Sequence, residues 1–497
     1  MLFEAFKRNR EERPHAAAFL VSTGDRAIPI TWRQFTDDID AVARIIRAHV
    51  PDSTIGILGE NSYEWMVVHA AILFSGAVVT PIDSNLNAVE IAARLKFIRA
   101  SALVYSSLYE EKAHEVARLC PGLATGGFGT RKTDQYVERA RKALAADPTE
   151  SLWSAESRTA PRFSTDEHVS MLVFTSGTTS EPRGAELTIA GLESCCAAWG
   201  AAVPMKSGER SLMLLPLHHI FGMSTTYLML MHGVALGVCP DFRRLYDAFE
   251  RFRVNYAFLV PALADILAQK IQQKGSSAEE ALGQPLDWIL TGGAALPRRT
   301  YEHLLSLGIR VITGYGLTET TAMYSVTPLA GDPHVGSQGR VSLVAGIETK
   351  VSESGELLIR GPCVMKGYYR LPKKTAEVLE PDGWYHTGDL GRIDGDGYVW
   401  ITGRASRTIV LSSGKKVAPE ELEEKLLSLP GIREAVVSGE GESRDIRAEV
   451  FSRLPEASVV KVIGELNALL PVYKRIKTIV VRKEPFPRTS SGKIRVG

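Results

Sequence analysis

The sequence predicts an α/β protein: a large N-terminal domain of βαβ-type sheets with flanking helices, then a small, mobile α+β C-terminal domain. Three observations predict it. From about Ser53 to Gly316, short β-branched runs alternate with helical patterns, the signature of βαβ units and parallel sheets. Past Arg360 the texture changes to stretches dense in glycine and aspartate, hence in turns. Finally, 497 residues are too many for one ordinary core.

The elements follow in order. "TIGILG" (54–59) reads as a strand, 62–74 as a helix and "AVVTPI" (77–82) as a strand. The longest apolar run, Trp65 to Thr80, holds His69 and Gly76 and is too short to span a bilayer. It reads as a buried helix, a glycine turn and a strand. "SALVYS" (101–106) and "VSMLVF" (169–174) are further strands. Strands 211–216, 235–240, 255–261, 287–293 and 310–316 then alternate with helices 223–233, 242–252, 262–274 and 297–307. In open α/β sheets, ligands bind beyond the carboxyl ends of strands. Glycine-rich breaks follow Phe174, Leu290 and Ile312, at such ends. "GWYHTGDLGRIDGDGYVWITGR" (383–404) reads as a run of turns. "TIVLSSGKKVAP" reads as a hairpin turning at Ser412–Gly414, followed by helix 419–429, strand 432–438, helix 458–469 and strand 475–482. The domain boundary is expected near Gly403–Arg407, giving units 1–403 and 404–497.

Bulk properties exclude several classes. The net charge of +1 argues against an extended nucleic-acid footprint. Cys120, Cys195, Cys196, Cys239 and Cys363 form no C-x-x-C pair and are odd in number, which fits reduced, intracellular thiols. The charged N-terminus has no apolar core of a signal peptide, and no transmembrane segment is found. A cytoplasmic location is the expectation.

Four stretches could carry chemistry. "FTSGTTSEPRG" (Phe174–Gly184) is packed with hydroxyls and glycines and has one cation, Arg183. Such a loop suits a polyanion, which backbone N–H and side-chain O–H groups can wrap. It does not match the G-x-x-x-x-G-K-[ST] phosphate loop, and an ordinary surface turn is the alternative. In "GYGLTETTAM" (Gly314–Met323), Tyr315 offers a flat ring for a purine, Thr318 a hydroxyl for a phosphate and Glu319 a hard oxygen ligand for Mg²⁺. The alternative is a strand-to-helix junction with Thr318 as N-cap. In "YHTGDLGRID", Asp389 can accept hydrogen bonds from the vicinal hydroxyls of a ribose; the alternative is an Asp-stabilised turn. In "PRTSSGKI", Lys493 taken alone reads as a solvated lysine.

In this order, the four stretches resemble the AMP-forming, adenylate-forming enzymes: acyl- and aryl-CoA synthetases, beetle luciferases and the adenylation domains of peptide synthetases. "LPLHHIFGM" and "TGGAALP" add to the resemblance, which covers nearly the whole chain. It implies that Thr175, Ser176, Gly177, Thr178 and Thr179 close over the β- and γ-phosphates of ATP. Ser180 stands where glycine is common, and Arg183 where lysine is common. Tyr315, beside Gly314, would lie against adenine. Thr318 would contact the α-phosphate, and Glu319 would hold Mg²⁺. Gly292, Gly293 and Ala294 would let backbone approach the base and the acyl chain. Asp389 would bind the ribose, with Arg404 beside it. His219 would sit beside the acyl carboxylate, whereas His218 reads as structural. Lys493 would bridge the carboxylate and phosphate oxygens. The carboxylate attacks the α-phosphorus and pyrophosphate leaves, so charge neutralisation is the main need. The small domain would then rotate, removing Lys493 and bringing the hairpin at Ser412–Lys416, with Gly414, to the site for attack by a thiol. At the hinge, Ser406 stands where the family usually has lysine or aspartate.

The resemblance places the acyl pocket among Phe221, Met223, Val260, Gly292, Leu317 and Met323. Amino-acid-activating relatives carry an aspartate soon after the histidine motif; "HHIFGMSTTY" has none. A fatty or aryl acid is therefore expected, and the hairpin "TIVLSSGKKVAPEELE" most resembles fatty-acyl-CoA synthetases, favouring a medium or long chain. Coenzyme A is the expected acceptor, and an acyl carrier protein presents the same thiol. Lys474, Arg475, Lys477, Arg482 and Lys483 could meet either, or simply form a solvated strand face. Alternatives from other classes are a non-catalytic nucleotide-binding relative and a luciferase-like oxygenase.

Overall fold

The computed structural model describes residues 1–23, 26–129, 151–153, 168–175, 182–329, 334–341, 346–441, 444–488 and 494. Three sheets carry the large domain's α/β part. The first has six strands in the order 124–128, 102–106, 54–58, 78–82, 169–174, 184–188. All its neighbours are parallel except the last pair. The strand Thr54–Leu58 is buried along nearly its whole length, as a central parallel strand covered on both faces must be. The following helix, Tyr63–Phe74, is buried at every position from Trp65 to Phe74, and Ser62 caps it by accepting from the Trp65 N–H at 3.2 Å. Gly76 turns the chain at φ 87° into strand Val78–Ile82. The long apolar run is thus the expected helix, turn and strand. A second sheet orders strands 26–31, 17–23, 235–238 and 210–213.

The third sheet positions the site. Tyr256–Leu259, Trp288–Thr291 and Arg310–Leu317 run parallel, with Thr291 paired to Thr313 at the last rung. The expected strand 310–316 is present as Arg310–Leu317, and the glycine-rich stretch after Ile312 does not end it. Beyond Thr313 the strand continues as Gly314–Leu317 by pairing antiparallel with Ala322–Val326. The "GYGL" segment therefore projects past the carboxyl edge of its parallel neighbours, where a ligand can reach it.

Two further expectations need correction. Residues 383–404 form two strands, Tyr385–Ile393 and Val399–Arg404, paired antiparallel around a turn at Asp394–Gly397. Turn-rich composition hid an alternation in which Tyr385, Thr387 and Asp389 share the buried face. Helix 223–233 begins earlier, at Ile220, and ends at Met231. His219 caps it: its Nδ1 accepts from the Phe221 N–H at 3.4 Å.

The small domain has its own core, drawn from residues between Ile409 and Ile476. The expected hairpin turns where the Gly414 N–H donates to Leu411 at 2.8 Å, with Gly414 at φ 77°. Helices Pro419–Leu427 and Glu456–Leu469 and strands Ile432–Glu440 and Thr478–Arg482 are all present. Strand Asp445–Ser452, not foreseen, joins them, alternately buried and half-buried. No helix among the described residues is long and apolar enough to cross a membrane, and all five cysteines are free and buried.

Candidate active site

Asp389 sits on the inner face of strand Tyr385–Ile393, only 4 % exposed. A carboxylate taken that far from water needs partners. Arg404, directly opposite on strand Val399–Arg404, places its Nε 2.7 Å from one oxygen. The Tyr315 hydroxyl donates to the other. Three residues from three strands thus meet on one carboxylate. Burial pushes the Tyr315 phenol well above the ordinary tyrosine range, so it remains a neutral donor.

A second carboxylate lies further along. Glu319 follows the strand in a short 3₁₀ turn, Thr318–Thr320, and its Oε1 accepts from the Tyr368 hydroxyl at 2.8 Å. Tyr368 shares a hydrogen bond with Tyr385, whose phenol burial also pushes up, with Glu319 and Tyr368 adding to the rise. The Arg183 guanidinium lies over the Tyr368 ring, 5.8 Å from its centroid. Arg183 also closes the base of the hydroxyl loop, its carbonyl accepting from the Thr175 N–H at 3.0 Å. Contacts therefore run from Arg183 through Tyr368 to Glu319 and Tyr385. Among the described residues Glu319 has no ion-pair partner. Its charge can therefore serve a hard cation, and a single carboxylate plus substrate phosphates is a donor set Mg²⁺ accepts.

Four of the apolar candidates, Phe221, Met223, Val260 and Leu317, belong to or pack against one hydrophobic core. Phe221 and Met223 lie on helix Ile220–Met231, 6 % and 0 % exposed. Val260 and Leu317 pack half-buried against the same core. Gly292, buried, follows strand Trp288–Thr291 and donates its N–H to Leu259 at 3.3 Å. Gly293 takes φ 83°, and a Cβ there would lie 3.8 Å from Val260 Cγ1; exposed Ala294 follows it. Met323 pairs with Gly316, but its side chain lies outside the described residues. The glycine of "HHIFGM" has a steric cause: a Cβ on Gly222 would lie 2.4 Å from the Pro216 carbonyl. His218 is set apart, its Nε2 3.7 Å from Asp83 and its pKa lowered by burial.

Ser176, Gly177, Thr178, Thr179, Ser180 and Lys493 lie outside the described residues. Gly414 stands at the hairpin tip in the small domain, where Lys415 lies over the Tyr473 ring at 4.3 Å. Three of the basic residues considered for acceptor binding are already paired: Lys474 with Glu421, Lys477 with Asp445 and Arg482 with Glu449. That favours a solvated, neutralised face.

Sequence reasoning missed Tyr368, Tyr385 and Asn61. Tyr385 was legible, since alternation from Asp389 puts it on the same face. Asn61 follows a parallel strand and holds the "LPLHH" turn: its Nδ2 donates to the Leu214 and Leu215 carbonyls, and its Oδ1 accepts from Leu217 N–H. Tyr368 had no spacing signal.

The model of the AMP-binding enzyme family matches residues 6–369, and that of the AMP-binding enzyme C-terminal domain matches residues 406–496. Among curated relatives, the long-chain-fatty-acid–CoA ligase FadD13 of Mycobacterium tuberculosis is 26 % identical over 88 % of this chain and 86 % of its own length. A feruloyl-CoA synthase of an Amycolatopsis species is 28 % identical over 99 % and 96 %. The anthranilate CoA ligase AuaEII, solved with anthranoyl-AMP, superposes with a TM-score of 0.85 at 21 % identity, covering 99 % of this chain and 95 % of its own. With one family model spanning most of the large domain and its companion most of the small one, the chain belongs to the AMP-binding enzymes, a family of acid–thiol ligases.

Proposed function

We propose that this chain activates a medium- or long-chain fatty acid as its acyl-adenylate and transfers the acyl group to coenzyme A. The observation that carries the reading is the meeting of Tyr315, Asp389 and Arg404 on one buried carboxylate, joined through Tyr385 and Tyr368 to Glu319 and Arg183. A ribose, a purine and phosphates need such groups side by side.

In this reading Asp389 accepts from the ribose hydroxyls and Tyr315 lies against the base. Thr318 meets the α-phosphate. Thr175, Ser176, Gly177, Thr178, Thr179 and Arg183 hold the departing pyrophosphate. Glu319 would hold Mg²⁺, which when bound neutralises phosphate charge. The substrate carboxylate, beside His219, attacks the α-phosphorus and needs no general base. Lys493 bridges the carboxylate and phosphate oxygens. Phe221, Met223, Val260, Gly292, Leu317 and Met323 enclose the acyl chain; their apolar character and the fatty-acid and aryl-acid names among the relatives support an acid without an ammonium group.

The chain divides near Gly403–Arg407 and swivels at Ala405–Ser406. Arg404 is tied to Asp389 of the large domain, while Arg407 is tied to Glu420 at 2.9 Å and Glu423 at 2.6 Å of the small one. The residues between are free of both anchors, and rotation there exchanges Lys493 for the Gly414 hairpin. The enzyme would work in the cytoplasm.

The test is thioester formation across acids from acetate to palmitate, with benzoate and amino acids, using coenzyme A or an acyl carrier protein as acceptor. Apolar acids with coenzyme A are the expected pair; an amino acid as the sole substrate contradicts the pocket assignment. Lys493→Ala is expected to slow adenylation by roughly two to three orders of magnitude, as loss of a charge-stabilising donor does. It should leave thioester formation from supplied acyl-adenylate far less affected; equal loss in both half-reactions contradicts the rotation.

A further inference from the structure

Away from the nucleotide wall, the turn joining strands Tyr385–Ile393 and Val399–Arg404 meets a residue from well upstream. One ligating atom each from His334, Asp394 and Asp396 lies within 4.8 Å of the other two. His334 Nε2 is 3.5 Å from Asp396 Oδ2. Metal–donor bonds of ~2.0–2.1 Å at tetrahedral angles set donors about 3.3 Å apart, so these two can share one ion with little adjustment.

The ligands are held. The His334 ring stacks on Tyr398, centroids 3.8 Å apart at 12°. Asp394 Oδ1 accepts from the N–H groups of Asp396 and Tyr398 at 3.1 and 2.9 Å, and Oδ2 from Trp400 Nε1 at 2.7 Å. Each carboxylate oxygen has about two lone-pair sites, so Oδ1 is filled and Oδ2 keeps one. Asp396 is exposed and its carboxylate can swing onto an ion. An Asp-stabilised turn explains the Asp394 contacts; it does not call for an imidazole stacked beside it with Nε2 facing Asp396.

We propose that His334, Asp394 and Asp396 bind one divalent first-row transition ion of the Zn²⁺ type, with water completing its shell. One imidazole and two carboxylates form a nitrogen–oxygen set suited to such an ion. The ion would be structural. It pins the His334–Arg340 segment, whose Arg340 bridges both Val326 and Tyr398, and so ties the strand beside Tyr315 to the hairpin that carries Asp389. No residue of the nucleotide wall takes part, so this site stands or falls separately from the ligase reading.

The test titrates Zn²⁺ into the full chain after chelator treatment and dialysis, reading bound Zn²⁺ and melting temperature. His334→Phe keeps a ring for Tyr398 and removes the nitrogen; Asp396→Asn removes the exposed charge. The wild type is expected to take up one Zn²⁺ per chain and to melt higher with it. Each variant is expected to bind at least about tenfold more weakly, with the metal-free melting temperature unchanged. No uptake by the wild type, or uptake by both variants equal to the wild type, overturns the assignment.

Discussion

Two carboxylates on one wall, Asp389 and Glu319, are held differently. Asp389 is buried, ion-paired to Arg404 and bonded to Tyr315. Glu319 is half-buried and bonded to a neutral phenol, with no ion-pair partner among the described residues. The first carboxylate has its charge answered by the protein, which fixes the position of its oxygens. The second keeps an unanswered charge, which suits it to an external cation. The same side-chain chemistry is thus tuned for orientation in one place and for charge in the other.

Substitutions at each end should break this contrast in different ways. Asp389→Asn removes the orienting charge and strands Arg404. With about 1.5–3 kcal/mol per charge-assisted bond, kcat/KM for ATP should fall about a hundredfold, and the melting temperature should drop. A variant that loses neither removes Asp389 from the site. Glu319→Gln keeps a carbonyl for Tyr368, so stability should hold. Turnover should fall roughly tenfold and the Mg²⁺ concentration for half-maximal rate should rise, in line with the loss of one charged oxygen ligand. An unchanged Mg²⁺ dependence contradicts the contrast.

Tyr315→Phe is a smaller probe. It deletes one charge-assisted hydrogen bond to Asp389, about 1.5 kcal/mol at the low end of such bonds, and should raise KM for ATP about tenfold while leaving kcat close to wild type. The smallest effect concerns His386, on the outer face of the Asp389 strand. Hydrogen bonds to Glu356 at 3.0 Å and Glu380 at 2.8 Å raise its pKa above 6.5. A raised folded pKa means that the stabilisation is complete below the ordinary imidazole value and is lost as pH rises through the folded one. The melting-temperature gap between wild type and His386→Gln should therefore narrow from about pH 5 to about pH 9. A gap that widens reverses the sign.

The parallel strands were legible because burial on both faces forces continuous apolar runs, as in Thr54–Leu58 and Tyr256–Leu259. The stretch holding Thr318 and Glu319 was legible because an unusual composition meets the end of strand Arg310–Leu317, whereas Asp389 lies within strand Tyr385–Ile393 and was legible by its motif alone. What failed has a physical cause. Strands Tyr385–Ile393 and Asp445–Ser452 carry polar residues on one face, so glycine and charge masked their alternation. Tyr368 reaches Glu319 through a fold contact with no local pattern, and Asn61 supports the "LPLHH" turn from a distant strand end. The ordering of side chains around Asp389 became visible only once Tyr385–Arg404 was seen as two paired strands rather than turns, and Gly314–Leu317 was seen to pair with Ala322–Val326.

The central claim is that this wall builds an acyl-adenylate, and carboxylate-dependent exchange of pyrophosphate into ATP tests it most directly. The account predicts exchange that requires an apolar acid and Mg²⁺ and collapses in Asp389→Asn. Demonstrable ATP binding with no exchange for any acid would contradict it, leaving a nucleotide-binding relative with Ser180 and Ser406 as the lesions.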